Sequence, residues 1–261
     1  MSNTQIHPTA IIADTASLGA NVSVGPYAII EDHVTLGDNC VVDAHAVIRA
    51  YTQMGCHNRV HPHAVIGDLP QDLSFDPSLV TYTQIGDHNT FREGTTVSRA
   101  SFEGKATQIG SHCYFMNNTH VAHDCIVGNN NIFATSATLG GHVHVGNRVF
   151  FGGGAMVHQF CRIGSFAMIA GVIGVRKDVL PYTLIGGQPV RHYRLNTIGL
   201  RRAGITGDRY KALSQAFRCL KENSPLADSI ENTEEILHLK AWLAAESDRG
   251  IYGFASPNHD N

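Results

Sequence analysis

Residues 109–175 read IGSHCYFMNNTHVAHDCIVGNNNIFATSATLGGHVHVGNRVFFGGGAMVHQFCRIGSFAMIAGVIGV. An apolar side chain stands at every sixth position: Ile109, Phe115, Val121, Val127, Phe133, Leu139, Val145, Phe151, Val157, Ile163, Ile169 and Val175. A helix needs apolar spacings near 3.6, and an amphipathic strand needs alternation, so a period of six fits neither. It fits a short strand followed by a corner, repeated. Working outward, the same spacing governs Ile6, Ile12, Leu18, Val24, Ile30, Leu36, Val42, Ile48, Met54, Val60 and Ile66. It returns briefly at Ile85, Phe91 and Val97. Two breaks interrupt it, DLPQDLSFDPSLVTYTQ at 68–84 and a second at about 103–108.

The apolar residue of each unit is expected to point inward. Gly often follows it (Gly19, Gly25, Gly37, Gly55, Gly67) and is expected to turn the corner through φ > 0. A small or β-branched residue four positions on (Ala10, Ala16, Val22, Ala28, Val34) suits a narrow interior. Three units close one triangular coil of about 18 residues. Coils stacked at about 4.8 Å would build a prism roughly 40 Å tall.

The chain has 261 residues, of which 43% are hydrophobic and 16% charged, with 26 Gly and a net charge of −3. This composition excludes a disordered chain. A small negative charge argues against nucleic-acid binding through bulk charge. No run of 18 apolar residues occurs, so no transmembrane helix is expected. The opening MSNTQIHPTA lacks the basic and apolar regions of a signal peptide, which makes the cytoplasm the expected compartment. Cys40, Cys56, Cys113, Cys125, Cys161 and Cys219 form no CxxC pair and read as reduced thiols.

The period ends near Arg201. The expected organisation is a β-helix over 1–190 and a C-terminal helical domain over 191–261. TGDRYKALSQAFRCLKEN (206–223) places Tyr210, Leu213, Phe217 and Leu220 on one helical face. Ser224–Pro225 reads as a cap and first turn. Thr233, followed by Glu234 and Glu235, reads as another helix start, with Ile236, Leu239 and Leu243 on the apolar face. The tail SPNHDN (256–261) is expected to fray. These helices would close the open end of the prism and pack against partner subunits.

The 16 histidines are the compositional anomaly. A step of about 18 residues stacks His123 under Gly141 and Gln159, Ala122 under Gly140 and His158, and Asp124 under His142 and Phe160. His120 lies one corner earlier. Sequence-distant groups thus converge on one edge. Two chemistries could use them. Neutral imidazoles bind metals, and HxH pairs occur at His61/His63 and His142/His144. Alternatively, a His beside an Asp can remove a hydroxyl proton, while a Gly N–H receives an oxyanion.

IHPTA near the start, PQDL at 70–73, THVAHDC at 119–125, GGHVHVG at 140–146, VHQFCRIG at 157–164 and NTIGLRR at 196–202 occur in this order. The six-residue period resembles that of the hexapeptide-repeat proteins, which implies a mainly β fold, a left-handed parallel β-helix. The handedness comes from that resemblance, because the general crossover rule favours right-handed coiling. The ordered motifs resemble, over nearly the whole chain, the acyl-carrier-protein:UDP-N-acetylglucosamine O-acyltransferases of lipid A biosynthesis.

The resemblance implies a homotrimer with sites in clefts between prisms. It implies transfer of a (3-hydroxy)acyl chain from the 4′-phosphopantetheine of acyl carrier protein to the 3-hydroxyl of a UDP-amino sugar, with no metal or redox cofactor. On the family's pattern His123 is the general base, Asp124 its supporting carboxylate and Gly141 the oxyanion donor. His120, His142, His158 and Gln159 line the sugar and pantetheine cleft. Gln71 and Asp72 reach the sugar or acyl group from the partner subunit, and Asn196 and Arg202 serve the nucleotide and donor region. Arg191, Arg194 and Arg201 add basic charge suited to pyrophosphate or an acidic carrier. Ser74, Ser98, Ile198 and Ala203 depart from the best-known enterobacterial pattern, which has Lys, His, an acidic residue and Arg there. These changes leave open a 3-amino UDP-sugar, which would give an amide. Gly171 and Met168 lie where a chain-length ruler would act. Competing readings are a zinc enzyme of the γ-carbonic-anhydrase kind and a non-catalytic scaffold.

Overall fold

A computed structural model describes residues 4–255. The coiled part is a left-handed parallel β-helix with three sheets of eleven, nine and eight strands. Most strands are two residues long, and through the coils nearly every strand pairs with the strand three places on. Gln5 pairs with Ser23, Ile11 with Ile29 and Ser17 with Thr35, one on each sheet, so a lap is three hexads. The first sheet begins at Gln5–Ile6, the second at Ile11–Ile12 and the third at Ser17–Leu18. Three edges separate these faces.

The apolar residue of each hexad points inward. Phe91, Phe115, Phe133 and Phe151 are fully buried and stack, with ring centroids 4.9, 4.6 and 4.4 Å apart. Burial of each such ring contributes roughly 1.5–3 kcal/mol. Of the small residues four places on, Val22, Ala28 and Val34 are buried, and Ala10 and Ala16 near the open end are half-buried.

Of the five corner glycines expected to take positive φ, Gly67 does (86°) and the other four act differently. Gly19, Gly25, Gly37 and Gly55 do not take positive φ; the left-handed residue comes two places later, at Asn21 (φ 58°), Tyr27 (58°), Asn39 (58°) and His57 (58°). These glycines instead permit close approach of the next coil. At Gly37 an added Cβ would lie 2.6 Å from the Gly55 carbonyl carbon. Histidines fill many left-handed corners and stack on one another, as in His57–His88–His112 at 4.6 and 4.8 Å, and Tyr27–His45–His63 at 5.2 Å per step. Much of the histidine excess therefore builds edges.

Beyond the last coil, Thr183–Gly186 extends the first sheet and pairs antiparallel with Arg191–Leu195. Three helices follow: α1 (Thr197–Arg202), α2 (Gly207–Lys221) and α3 (Glu234–Ala244). Leu213 is buried, with Tyr210, Phe217 and Leu220 packed against the same cluster. Thr233 caps α3, its hydroxyl accepting from the Ile236 N–H at 3.4 Å. No helix starts at Ser224–Pro225. The Ser224 hydroxyl donates to the Cys219 carbonyl at 3.0 Å, so it closes α2 rather than opening another helix. The short α1 was not expected from periodicity. The expected fraying falls on residues 256–261, outside the described residues. No helix among the described residues is long and apolar enough to cross a membrane.

Candidate active site

The edge that follows the second sheet carries the predicted columns. His120–Val121 is a strand of that sheet, and the chain turns directly after it. Asp124 turns the corner in the left-handed region, at φ 58°, with its N–H donating to Thr107 Oγ1 at 2.8 Å. Its Oδ2 lies 2.7 Å from His123 Nδ1 and accepts from the Ser101 hydroxyl at 2.6 Å. The Ser101 N–H lies 3.1 and 3.2 Å from the two carboxylate oxygens. Burial pushes the Asp124 carboxyl up, but the hydrogen bonds from His123 and Ser101 outweigh it and hold it below its ordinary value. An ionised Asp124 places a proton on His123 Nδ1 and leaves the lone pair on Nε2.

One coil on, Gly141 packs flat against that ring. A Cβ there would sit 2.6 Å from His123 Cε1 and 2.8 Å from Nε2. Only glycine lets the backbone lie against the Nε2 side of the imidazole. Among the described residues nothing accepts the Gly141 N–H. His142 (φ 59°) stacks on Phe160 at 4.7 Å and meets His123 edge-on at 5.2 Å. Its Nε2 is 3.6 Å from Asp124 Oδ2, beyond hydrogen-bond length.

The remaining expected residues fall into three groups. His120 lies beside the pair, with Nδ1 2.7 Å from Thr96 Oγ1; burial, then the neighbouring His123, lower its pKa. His158 and Gln159 are exposed on the next coil, His158 Nδ1 lying 3.1 Å from the Gln159 carbonyl. Gln71 and Asp72 are exposed in the 69–80 excursion. Asp72 Oδ1 accepts from the Ser74 N–H at 2.9 Å and its hydroxyl at 2.8 Å, and these bonds lower its pKa, helped by His123 and His142. That electrostatic reach is within one chain, whereas the family resemblance brings this loop from the partner subunit.

Asn196 and Arg202 stand elsewhere. Asn196 caps α1, its side-chain oxygen accepting from the Gly199 N–H at 3.1 Å and its amide donating to the Phe166 carbonyl at 2.9 Å. Phe166 lies on the edge after the third sheet, not the edge of His123. Arg202 is exposed at the end of α1. Of the positions that depart from the enterobacterial pattern, Ser98 is buried in register with Asp68, Ile198 is 54% exposed on α1 and Ala203 ends that helix.

Sequence reasoning missed Ser101, Thr107 and Phe102. The second excursion leaves the coil after Ser98 and rejoins at Ala106, earlier than the missing apolar residue suggested. Phe102, 60% exposed, lies 6.2 Å from the His142 ring. Serine and threonine near a break carry no periodic signal, so only the folded chain could pair them with Asp124.

His123, Asp124 and His142 are the one grouping among the described residues with three possible metal-binding atoms within 4.8 Å. Its shared oxygen already accepts from both His123 and Ser101, bonds an ion would have to displace. The HxH pairs do not converge. His63 stacks on His45, His61 faces Asp43 and Glu93 at 3.6 and 3.5 Å, and His144 lines a separate cleft with Arg162 and His238. Burial pushes the thiols of Cys125 and Cys161 up to about 12, which keeps them protonated and makes them poor nucleophiles.

Residues 15–50 and 106–141 match the profile described as bacterial transferase hexapeptide (six repeats), and residues 178–252 match domain 2 of UDP N-acetylglucosamine O-acyltransferase. An acyl-[acyl-carrier-protein]–UDP-N-acetylglucosamine O-acyltransferase of Thiobacillus denitrificans is 43% identical over 228 residues, covering 86% of this chain and 87% of the relative. The enzyme of that name from Alkalilimnicola ehrlichii is 40% identical over 197 residues, covering 71% and 75%. The solved UDP-N-acetylglucosamine O-acyltransferase of Moraxella catarrhalis superposes with a TM-score of 0.88 at 37% identity, covering 95% of this chain and 99% of the other. A solved structure from Acinetobacter baumannii gives 0.89 at 37%, with the same coverage. At these identities, and over nearly the full length of the solved chains, the likeness extends well past a shared β-helix: the chain belongs to the acyl-[acyl-carrier-protein]–UDP-N-acetylglucosamine O-acyltransferase family.

Proposed function

We propose that this chain transfers a (3-hydroxy)acyl group from acyl carrier protein to the 3-hydroxyl of UDP-N-acetylglucosamine, the opening step of lipid A biosynthesis. The observation that carries the reading is the His123–Asp124 pair, 2.7 Å apart, with the Gly141 backbone against the imidazole. His123 Nε2 takes the proton of the sugar hydroxyl as its oxygen attacks the thioester carbon. The resulting oxyanion is received by the Gly141 N–H. Collapse breaks the carbon–sulfur bond, and the imidazolium returns its proton to the departing thiolate. One ester forms, one thioester breaks, and the donor supplies its own 4′-phosphopantetheine. A positioned base typically contributes about 10²–10⁴-fold, and one oxyanion donor about 10²–10³-fold.

The chain acts in this reading as a homotrimer in the cytoplasm. Asn196 bonds to Phe166 on a different edge from His123, which supports a cleft shared between two protomers. Gln71, Asp72, His120, His142, His158 and Gln159 hold the sugar and pantetheine, while Asn196 and Arg202 serve the nucleotide and donor.

The test offers a panel of acyl-carrier-protein thioesters with UDP-N-acetylglucosamine or its 3-amino analogue, and reads the products by mass spectrometry. An O-acylated UDP-N-acetylglucosamine is the expected product. Exclusive N-acylation of the amino sugar would overturn the acceptor. Stoichiometric zinc with His-dependent CO₂ hydration would overturn the reaction itself.

A further inference from the structure

Asp124 Oδ2 faces two imidazoles, with His123 Nδ1 at 2.7 Å and His142 Nε2 at 3.6 Å. A carboxylate in that position could turn towards either ring. If it turned to His142, His123 would lose the bond that fixes its tautomer. The Ser101 hydroxyl at 2.6 Å from Oδ2, with the Ser101 N–H at 3.1 and 3.2 Å from the two oxygens, holds the carboxylate from the far side. The 99–105 excursion brings Ser101 across 23 residues of chain to this point. The Asp124 side chain is only 10% exposed, so water is a poor substitute for the hydroxyl.

We propose that Ser101 is a positioning residue for acyl transfer, pinning Asp124 so that it serves His123 and not His142. The proposal rests on the function given above. It assigns Ser101 no contact with substrate. The titratable groups facing the pair are His142 from the next coil, His120 from the strand before it and Asp72 from the first excursion.

The experiment compares the wild-type trimer with Ser101→Ala and Ser101→Thr. A hydrogen bond to a charged group of this kind converts to a loss of about ten- to a hundredfold in kcat for Ser101→Ala. KM for both substrates should stay within about threefold, since no substrate contact is removed. Ser101→Thr keeps the hydroxyl and should restore kcat to within about threefold. With Asp124 released, the His123 imidazolium is less stabilised. The acid limb of kcat/KM and the NMR titration of His123 should both move to lower pH, and that of His142 to higher pH. Serine in a merely structural role would lower the melting temperature and leave both titrations in place. A Ser101→Ala enzyme with kcat within about twofold of wild type, or with an unmoved or raised His123 titration, would overturn the proposal. If the wild-type chain itself shows no transfer, the reaction fails, and the NMR titrations then decide the role of Ser101 without any turnover.

Discussion

At Gly141 the backbone of one coil lies against the imidazole of the coil before it, and the absent side chain is what makes room. In Gly141→Ala the new methyl would fall 2.6 Å from His123 Cε1, so the ring must rotate away from its bond to Asp124. A displaced base commonly costs on the order of a hundredfold. Steady-state kinetics should show kcat down by at least about tenfold, while melting stays close to wild type because Gly141 does not require positive φ. An unchanged kcat would mean that the ring is not held by this contact. The placement of His123, Asp124, Gly141 and His142 was legible in the sequence, because a fixed lap turns spacing into proximity. Ser101 was not, because excursions have no period, and Thr107, in the coil strand Ala106–Ile109, was hidden because the break in the apolar period runs to about 108. Gly19, Gly25, Gly37 and Gly55 were misread, since sequence does not say whether a glycine is needed for its φ or for its lack of a side chain.

Among the elements, one buried histidine ties the hairpin after the last coil to the 251–254 stretch. His192 is fully buried in the strand Arg191–Leu195. Its Nε2 accepts from the Leu180 N–H at 3.0 Å, and its Nδ1 lies 3.0 Å from the Tyr252 carbonyl. Burial pushes its pKa down from 6.5 to about 4. The folded ring therefore stays neutral where the unfolded ring takes up a proton. Its contribution is fully present above the unfolded value of 6.5 and is lost as pH falls towards about 4. The slope is at most roughly 1.4 kcal/mol per pH unit. Denaturant melts between pH 7 and 4.5 should show wild type weakening with acid more steeply than His192→Gln, and parallel slopes would contradict it. Element types were mostly readable: α2 and α3 followed from apolar spacing and the Thr233 cap. The six-residue α1 is too short for periodicity to reveal, and Ser224 closes a helix because its hydroxyl is nearer to the Cys219 carbonyl than to any new turn.

At the scale of the whole molecule, the repeat builds both the core and the edge that carries His123, Asp124, Gly141 and His142, and the interruptions bring Ser101 and Asp72 to that edge. Each coil bonds only to its neighbours, so the stacked Phe91–Phe151 core does not depend on any group at the His123 edge. The period alone makes the prism legible, although its left hand comes from family likeness. The separation of Asn196 and Arg202 from His123 was not legible, since the helices obey no coil register. On the proposed function, and because the prism is independent of the site, removing His123 should silence the reaction without loosening the fold. The most direct measurement is acyl transfer from acyl carrier protein to UDP-N-acetylglucosamine by His123→Ala, alongside its sedimentation and melting. The account predicts turnover at least about a hundredfold below wild type in an intact, equally stable trimer. Wild-type turnover in that variant would contradict it.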